Sequence, residues 1–488
     1  MRMTDPEHTT PSGDTTAGSA SLDAMVDSVA SATGHNGSQP SRPQVPLEDR
    51  GSSPRVGSPV DVLTTVGEDA SVAFRAHHGS VLGEHAARGV IEVRAPAAVR
   101  YLLSAPGELG LARAYVAGAI EVHGELHRTL YAIATHLRRP RLRELVPLLR
   151  ALKCRRIPSA PVPPEEAPAR WRRGLVAHTR GRDAAAIAHH YDLSNRFYEL
   201  VLGPSMAYSC AIFATPDTTL EEAQCEKFDL ICRKLDLRAG QRLLDVGTGW
   251  GGMVMHAAAN YGVKALGVTL SRRQAEWAQR TIDDSGLAGR AEVRVLDYRD
   301  LGDDRFDAIS SIGAMEHFGT RRLGSYFASM AERLRPEGRM LNHCITRPSN
   351  RQRHRAGPFI DRYVFPDGEL QAPGTVIGAM HDHGLEVRHA ENLREHYAAT
   401  LSHWASNLER HWPEAVAEVG ERRARAWRLY MALSRIGFEL DRIEIHQMLG
   451  VRTTSDGGSG MPRQPNWEHH DRARQRGHPS DQKTAIRE

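Results

Sequence analysis

Apolar positions between residues 183 and 452 recur with two alternating spacings along the chain. Short runs with the spacing of strands, such as RLLDV, VKALGVT and AEVRV, are separated by longer segments with apolar residues at helical spacing. Strands that alternate with helices in this way are typical of a mostly parallel sheet with helices on both faces. We therefore predict an α/β domain over residues 183–452.

A smaller pattern precedes this domain, in residues 59–154. The segment VIEVRAP alternates like a strand, whereas AVRYLLSA and ELHRTLYAIATHL carry apolar residues at helical spacing, so we predict a small α+β domain. Residues 155–182 form a Pro-rich basic linker between the two domains. Residues 1–58 and 453–488 have the polar composition of disordered tails.

Composition narrows the classes of protein that the chain can belong to. A formal net charge of +4 over 488 residues argues against a general nucleic-acid binder. The five cysteines have neither metal-ligand spacing nor the density of a disulfide scaffold, which favours a reducing compartment. Neither a leader peptide nor an apolar run long enough to span a bilayer is apparent. We expect a cytoplasmic protein whose contact with the membrane is peripheral, at its inner face.

One basic segment stands out within this nearly neutral chain. Eight Arg or Lys residues and a single Glu lie between residues 137 and 156, interspersed with Leu and Val. Such a segment forms either a solvated helix face or a surface that meets anionic lipid headgroups, where each basic residue contributes about 1 kcal/mol.

A strand, a glycine-rich turn and a helix follow one another in RLLDVGTGWGGMVMHAAANYG. Gly247, Gly249 and Gly251 allow the backbone to turn tightly and to approach a ligand. Ligands of open α/β sheets bind at the carboxyl ends of the strands, which is where Asp245 lies. We expect the helix to begin near Met253.

Polar residues also lie at the ends of the next two strands. The second strand, in VKALGVTLSRRQ, is predicted to end in Thr269 and Gln274 and the third in Asp297, and no Gly-Lys-Ser/Thr phosphate loop follows the turn. A dinucleotide site would need an acidic residue at the end of the second strand, and none is present. Carboxylate, hydroxyl and amide groups suit the sulfonium, ribose and adenine of S-adenosylmethionine. We predict an S-adenosylmethionine site; the alternative is a glycine turn without a ligand.

Five motifs occur in order along the chain, namely HYDL, YSCA, GTGWGG, DYRDL and EHFG. Over residues 60–452 they resemble the cyclopropane-fatty-acyl-phospholipid synthase family. The resemblance implies a Rossmann-like class I methyltransferase domain with a mostly parallel sheet, preceded by a small lipid-docking domain. It also implies that a methyl group passes from S-adenosylmethionine to the double bond of an unsaturated membrane phospholipid, and that the resulting cation loses a proton to bound bicarbonate. Further cofactor contacts are expected from Tyr208, Ser209 and Tyr298.

The resemblance also implies the catalytic, bicarbonate-binding residues, which are Cys210, Glu316, His343, Ile345 and Tyr397. Backbone groups around Cys210 and Ile345, the imidazole of His343 and the hydroxyl of Tyr397 can hold an anion, while Glu316 orients the network. His343 could instead be an ordinary core histidine, and Cys210 a small buried residue. Aromatic rings expected to add cation–π stabilisation are those of Tyr298, Phe318 and Tyr363. His189 and His190 lack companion ligands, so no metal is expected.

Some positions depart from the common pattern of that family. Thr248 and Ser434 stand where many members have cysteine, so a cysteine nucleophile at 434 is excluded. The segments NHCITRPSN and FIDRYVFPDGEL resemble the branch associated with 10-methyl fatty acids. In that branch the cation loses a chain proton and leaves a methylene group, which a flavin-dependent reductase saturates. Cyclopropane and methylene products both remain open, and a homodimer is expected by resemblance alone.

Two other functions compete with this interpretation. A methyltransferase of a soluble small molecule or a nucleic acid would share the glycine turn, but would not need the segment HYDLSNRFYELVLGP or a lipid-facing domain. A catalytically inactive lipid-binding protein would keep the N-terminal domain, but would not need both the anion-site residues and the cofactor turn.

Overall fold

The computed structural model describes residues 72–75, 81–82, 89–105, 107–136, 160–167, 193–351, 356–366, 368–465 and 467. The predicted tail 1–58, the basic segment 137–156 and both His189 and His190 lie outside the described residues, as do residues 468–488.

The N-terminal domain has, within the part of it that is described, a four-stranded sheet with the order β2-β1-β3-β4. Its strands and helices, in chain order, are β1 (Val72–Arg75), β2 (Val81–Leu82), β3 (Gly89–Val93), α1 (Ala97–Ser104), α2 (Glu108–Val116), β4 (Ile120–His123) and α3 (Leu126–His136). Strand β3 and helices α1 and α3 lie where the periodicity of the sequence predicts them.

The larger domain alternates strands and helices, as its sequence pattern predicts. Its first half contains α4 (Asn195–Leu202), α5 (Leu220–Leu235), β5 (Arg242–Val246), α6 (Gly252–Tyr261), β6 (Lys264–Thr269), α7 (Arg272–Asp284), β7 (Ala291–Val295) and β8 (Phe306–Ile312). Its second half contains α8 (Leu323–Arg333), β9 (Leu334–Thr346), α9 (Pro358–Tyr363), α10 (Pro373–Asp382), β10 (Glu386–Asn392), α11 (Arg394–Arg410), α12 (Trp412–Val419), α13 (Glu421–Glu439) and β11 (Glu444–Val451).

Seven strands of the described chain form one sheet with the order β10-β11-β9-β8-β5-β6-β7. The strands from β9 to β7 run parallel, whereas β11 is antiparallel to both β9 and β10. The direction in which the chain progresses across the sheet reverses at β5, which has β6 on one side and β8 on the other. Ligands of such sheets bind beside the carboxyl ends of the strands at this reversal, so the topology places a site next to the glycine turn.

Helix α5 begins with a capping box, which explains where it starts. Thr219 accepts a hydrogen bond from the backbone of Glu222, and the Glu222 carboxylate accepts one from the Thr219 backbone at 2.9 Å. Its buried face includes Ala223, Leu230 and Ile231, which fall at helical spacing and pack towards the sheet.

The two domains are joined by buried arginine contacts. Arg425 of α13 donates to the carbonyl oxygens of Tyr115 and Ile120 at 2.8 and 2.9 Å. Glu166, in the segment predicted as a linker, accepts two hydrogen bonds from Arg113 at 2.6 and 2.7 Å and one from Arg362 at 3.1 Å. Since Arg113 lies on α2 and Arg362 on α9, residues 160–167 are part of the contact between the domains.

The chain continues in contact with the larger domain beyond residue 452, where the composition predicts a disordered tail. Arg339 donates to the carbonyl oxygen of Gly460, and Arg233 donates to that of Trp467 at 2.8 Å. The Trp467 side chain is buried, and an indole buried in this way stabilises the adjacent segment. The predicted start of the tail at residue 453 is therefore wrong for residues 453–465. In the regions described, no helix is both long and apolar enough to cross a membrane.

Candidate active site

The glycine turn between β5 and α6 is held against the end of β6. The backbone N–H groups of Gly247 and Thr248 both donate to the carbonyl oxygen of Val268, at 2.9 and 3.1 Å. Gly247 and Gly249 have φ angles of 77° and 57°, in the region that favours glycine. A Cβ atom at Gly249 would meet nothing within 4 Å, so the turn leaves room for a ligand beside its backbone.

A cavity of about 690 Å³, counted to its open mouth, lies beside this turn. The predicted cofactor residues that line it are Gly247, Gly249, Thr269, Gln274, Asp297 and Tyr298. Thr269 donates to the Gln274 amide oxygen at 2.9 Å, and the Asp297 carboxylate accepts from the Arg299 guanidinium at 2.8 Å. Three strand ends thus bring hydroxyl, amide and carboxylate groups to one cavity.

Four other predicted cofactor residues do not line this cavity. Asp245 is buried beneath the turn, where it accepts a hydrogen bond from Ser310 at 2.6 Å, and burial raises its pKa. Gly251 is instead the N-cap residue of helix α6, with φ 81°. Ser209 accepts from the Lys227 ammonium at 2.7 Å, and Tyr208 donates to the Tyr430 hydroxyl at 3.0 Å. Asp245 and Gly251 therefore support the turn, whereas Tyr208 and Ser209 contact Tyr430 and Lys227 and do not line the cavity.

Glu316 lies immediately after β8, in a short 3-10 turn formed by Met315–His317. Its Oε1 atom accepts a hydrogen bond from the backbone N–H of Ile345 at 2.7 Å, whereas Oε2 is buried and has no partner among the described residues. Burial raises the pKa of Glu316 to about 7. The Ile345 N–H predicted to hold an anion is thus already bonded to the predicted acidic residue.

His343 lies two residues before Ile345 on β9, so both side chains project from the same face of the sheet. Its Nδ1 atom faces the Gln447 amide nitrogen at 3.1 Å. Its Nε2 atom is buried without a partner in the described regions. Burial, reinforced by the positive charges of Lys227 and Lys234, lowers the pKa of His343 to about 3. The ring is therefore neutral at physiological pH, and one of its nitrogen atoms is available to a ligand.

Cys210 and Tyr397 approach the same region from the segment before α5 and from helix α11. The Cys210 thiol is fully buried and lies 3.8 Å from the carbonyl oxygen of Leu393, the residue preceding α11. The next backbone N–H, of Ala211, donates to Thr400 of α11 at 3.0 Å. Cys210 and Tyr397 belong to one apolar cluster, against which Ile345 packs. Burial raises the pKa of the Cys210 thiol, so this cysteine is not a thiolate nucleophile.

A series of aromatic rings connects the cavity with this cluster. His317 lines the cavity and lies 5.8 Å from Phe365, measured between ring centroids. Tyr208 then lies 6.4 Å from Phe365 and 5.3 Å from Trp404, whose ring is 6.0 Å from that of Tyr397. One largely aromatic region therefore connects the cavity with Tyr397, one of the predicted anion-binding residues.

The three aromatic residues predicted to stabilise a cation separate in the structure. Tyr298 and Phe318 line the cavity, with ring centroids 4.9 Å apart. Tyr363 lies instead on α9, packed against Phe359 at 5.3 Å and next to the buried Glu166. Tyr363 therefore belongs to the contact between the domains.

The comparison with known proteins now identifies the family. A family model described as mycolic acid cyclopropane synthetase matches residues 178–448. A probable fatty acid methyltransferase of Mycobacterium tuberculosis is 47% identical over 420 residues, which cover 84% of this chain and 97% of the relative. The chain belongs to the mycolic acid cyclopropane synthetase family.

Two further relatives of this synthetase family carry information about the site. The cyclopropane-fatty-acyl-phospholipid synthase of Escherichia coli is 35% identical over 268 residues, which cover 55% of this chain and 68% of the relative. The crystal structure of a mycolic acid cyclopropane synthase complexed with SAH and CTAB is 34% identical and has a TM-score of 0.52. It covers 55% of this chain and 97% of its own.

This member of the synthetase family is an S-adenosylmethionine-dependent methyltransferase. The residues of the cavity fit that cofactor. The Asp297 carboxylate can accept hydrogen bonds from ribose hydroxyls, and the open space beside Gly249 allows close approach to the backbone. Tyr298 and Phe318 provide flat apolar surfaces for an adenine ring or a sulfonium group.

Sequence reasoning missed three buried polar residues of this chain: Lys227 and Lys234 of α5, and Gln447 of β11. Burial lowers the pKa of Lys227 to about 7. A signal for both lysines is present in the sequence, because they fall seven residues apart on the same helical stripe as Ala223 and Leu230. Lysines on an apolar stripe are rarely buried without a partner, so this spacing could have identified both as buried residues with polar partners. No comparable signal exists for Gln447.

Proposed function

We propose that this chain transfers a one-carbon unit from S-adenosylmethionine to the double bond of an unsaturated phospholipid acyl chain. The observation that carries the proposal is a pair of buried polar atoms without partners among the described residues, Glu316 Oε2 and His343 Nε2. His343 lies on β9, and Glu316 is hydrogen-bonded to the backbone of that strand at Ile345. Ile345 packs against the aromatic region that adjoins the cofactor cavity. Unpaired buried polar atoms are costly, and they are typical of sites completed by a ligand.

The surroundings suit a reaction that passes through a carbocation. An alkene is a weak nucleophile, so the site must align it with the methyl donor and exclude water that would capture the cation. The rings of Tyr208, Trp404 and Tyr397 provide an apolar lining with electron-rich faces. The Glu316 carboxylate, when ionised, adds a negative charge beside that lining.

We propose that the bound anion is bicarbonate. Its binding site is formed by Glu316, His343, Tyr397 and the backbone beside Cys210. Its hydroxyl group can donate to Glu316 Oε2, and its oxygens can accept from the imidazole and phenol groups. When bound, it would supply a base for the proton lost from the cation. Because burial keeps the thiol of Cys210 protonated, that thiol does not repel an anion. The neutral ring of His343 can still donate one hydrogen bond to the anion.

For the product we propose a methylene group, the precursor of a 10-methyl fatty acid. Support comes from the segments NHCITRPSN and FIDRYVFPDGEL, and from the 47% identity to a relative named as a fatty acid methyltransferase. A flavin-dependent reductase would then saturate the methylene group. We further propose that the N-terminal domain docks peripherally on anionic membrane and that the basic segment 137–156 contributes to this contact.

The experiment expresses the chain in a bacterium without its own cyclopropane synthase, supplied with oleate and isotopically labelled methionine. Mass spectrometry of fatty acid methyl esters should show an added labelled one-carbon unit. Ozonolysis then distinguishes the products, because a methylene group is cleaved to a mid-chain ketone and a cyclopropane ring resists. The Glu316→Gln variant should give no labelled lipid, whereas Glu276→Gln, at an exposed position of α7, should act like the wild type.

Two outcomes contradict the proposal. If the wild-type protein binds S-adenosylmethionine but labels no lipid, its methyl acceptor is a different, soluble molecule or it is an inactive lipid-binding protein. If Glu316→Gln labels lipid at the wild-type rate, the reaction occurs elsewhere than at this cluster.

A further inference from the structure

The ring of His343 is held on the side away from its free nitrogen atom. Gln447 lies on β11 directly opposite His343 in the register of β9 and β11, and its side chain is fully buried. Its amide nitrogen lies 3.1 Å from His343 Nδ1. An amide nitrogen donates hydrogen bonds, whereas an amide oxygen only accepts them. The orientation of the Gln447 amide therefore decides whether Nδ1 of His343 accepts or donates a hydrogen bond.

Lys234 fixes that orientation. Its ammonium group donates to the Gln447 amide oxygen at 2.8 Å and also pairs with the Glu391 carboxylate. An ammonium group has donors only, so the amide oxygen must face Lys234 and the amide N–H must face His343. Although burial acts in the opposite direction, the contacts with His389 and Lys234 lower the pKa of Glu391 to about 2. Glu391 is therefore ionised and keeps Lys234 in place.

The orientation of the Gln447 amide determines the tautomer of the His343 imidazole. Since Nδ1 accepts a hydrogen bond from Gln447, it carries no proton, and in a neutral ring the proton must then be on Nε2. Nε2 is the atom that is buried without a partner in the described part of the chain. The ring therefore presents an N–H donor to the cluster. The opposite tautomer would present a lone pair, which repels an anion.

We propose that Lys234 and Gln447 are positioning residues that fix the Nε2-protonated tautomer of His343, so that it donates a hydrogen bond to the bound anion. This inference rests on the proposed function in one respect, because the identity of the anion as bicarbonate comes from there. The assignment of the tautomer follows from the contacts of Glu391, Lys234, Gln447 and His343 alone.

Nuclear magnetic resonance of protein labelled with ¹⁵N at histidine tests the tautomer directly. Long-range ¹H–¹⁵N spectra distinguish protonated from unprotonated ring nitrogens, and the His343→Asn variant assigns the signal. The wild type should show Nε2 protonated and Nδ1 unprotonated. The Gln447→Leu variant should lose this fixed pattern, and Lys234→Met should show a mixture, because the amide is then free to rotate. Protonation of Nδ1 in the wild type would overturn the inference.

Methyl transfer in buffer depleted of bicarbonate supplies the second readout. Loss of one hydrogen bond to a charged group corresponds to roughly tenfold or more in affinity. Gln447→Leu should therefore raise the KM for bicarbonate about tenfold or more, with kcat at saturating bicarbonate within about threefold of wild type. The matched control is His446→Leu on the same strand, since His446 is also buried and hydrogen-bonded but contacts Thr346. It should leave both the KM and the ring signals unchanged.

The outcomes separate the two proposals. A wild-type rate that does not respond to bicarbonate contradicts the proposed anion, and the spectra then still decide whether Gln447 fixes the tautomer. A wild-type rate that responds, together with a Gln447→Leu variant that changes only kcat or behaves like His446→Leu, overturns the positioning role.

Discussion

Glu316 provides a test in which activity and stability should change in opposite directions. Burial raises its pKa from the ordinary 4.5 to about 7, a difference that corresponds to about 3 kcal/mol. Between these pH values the unfolded chain has lost the proton while the folded chain retains it. The stabilisation from the protonated form is therefore present at low pH and is lost as the pH rises from about 4.5 to about 7.

The Glu316→Gln substitution removes this titration and keeps a side-chain oxygen that can accept from Ile345. At about pH 8, where the wild type must bury a charge, we expect the variant to be more stable by up to about 3 kcal/mol. In a domain of this size that amounts to a melting temperature about 5–10 °C higher. At about pH 5 the difference should largely disappear. Methyl transfer should be lost at every pH.

Differential scanning calorimetry at the two pH values measures the effect, and Glu276→Gln serves as the control for an exposed carboxylate. The reasoning is refuted if Glu316→Gln is less stable than the wild type at high pH, or if its advantage is the same at both pH values. Either result would mean that the folded protein does not bury an ionisable carboxylate at this position without compensation.

Three further predictions concern other parts of the molecule. Asp297→Ala should weaken S-adenosylmethionine binding roughly 10- to 100-fold in calorimetric titration, because hydrogen bonds to a charged group are lost, whereas the exposed Asp303→Ala should bind normally. Tyr397→Phe should reduce methyl transfer about 100-fold or more without changing cofactor affinity; unchanged turnover would remove the phenol from the mechanism. Glu166→Gln should destabilise the protein by about 3 kcal/mol in denaturant unfolding, because Arg113 and Arg362 then lose their buried carboxylate; an effect below about 0.5 kcal/mol would contradict a buried ion pair there.

The sequence predicts the fold of the larger domain well because its strands, turns and helices can be recognised from the spacing of apolar residues and glycines within short segments. Strand β5, the glycine turn and helix α6 follow directly from RLLDVGTGWGG, and the helix begins one residue before the predicted Met253. Gln274 was assigned to the end of the second strand but belongs to the first turn of α7, where the cap at Ser271 starts the helix. That boundary depends on a capping hydrogen bond, which periodicity does not register.

The candidate site was predictable as a set of residues but not as a set of contacts. The EHFG motif contains Glu316 and the segment NHCITRPSN contains Ile345, yet nothing in them indicates that the carboxylate binds the Ile345 N–H. The sequence places Asp245 at a strand end but does not orient its side chain, because such a carboxylate can face the ligand or the interior; in the structure it accepts a hydrogen bond from Ser310 on the neighbouring strand. Contacts of this kind depend on the register between distant strands, which single-sequence patterns do not contain.

The position of β11 has a consequence for how the protein is made. It is the last strand of the described sheet in chain order, yet it lies between β9 and β10 rather than at an edge. During synthesis β10 therefore leaves the ribosome without a partner and must wait until residues 444–451 have followed. Since Gln447 arrives on the same strand, a nascent chain can complete its glycine turn well before Gln447 is in place to hold His343. An exposed edge during that interval is a point at which chaperones would act.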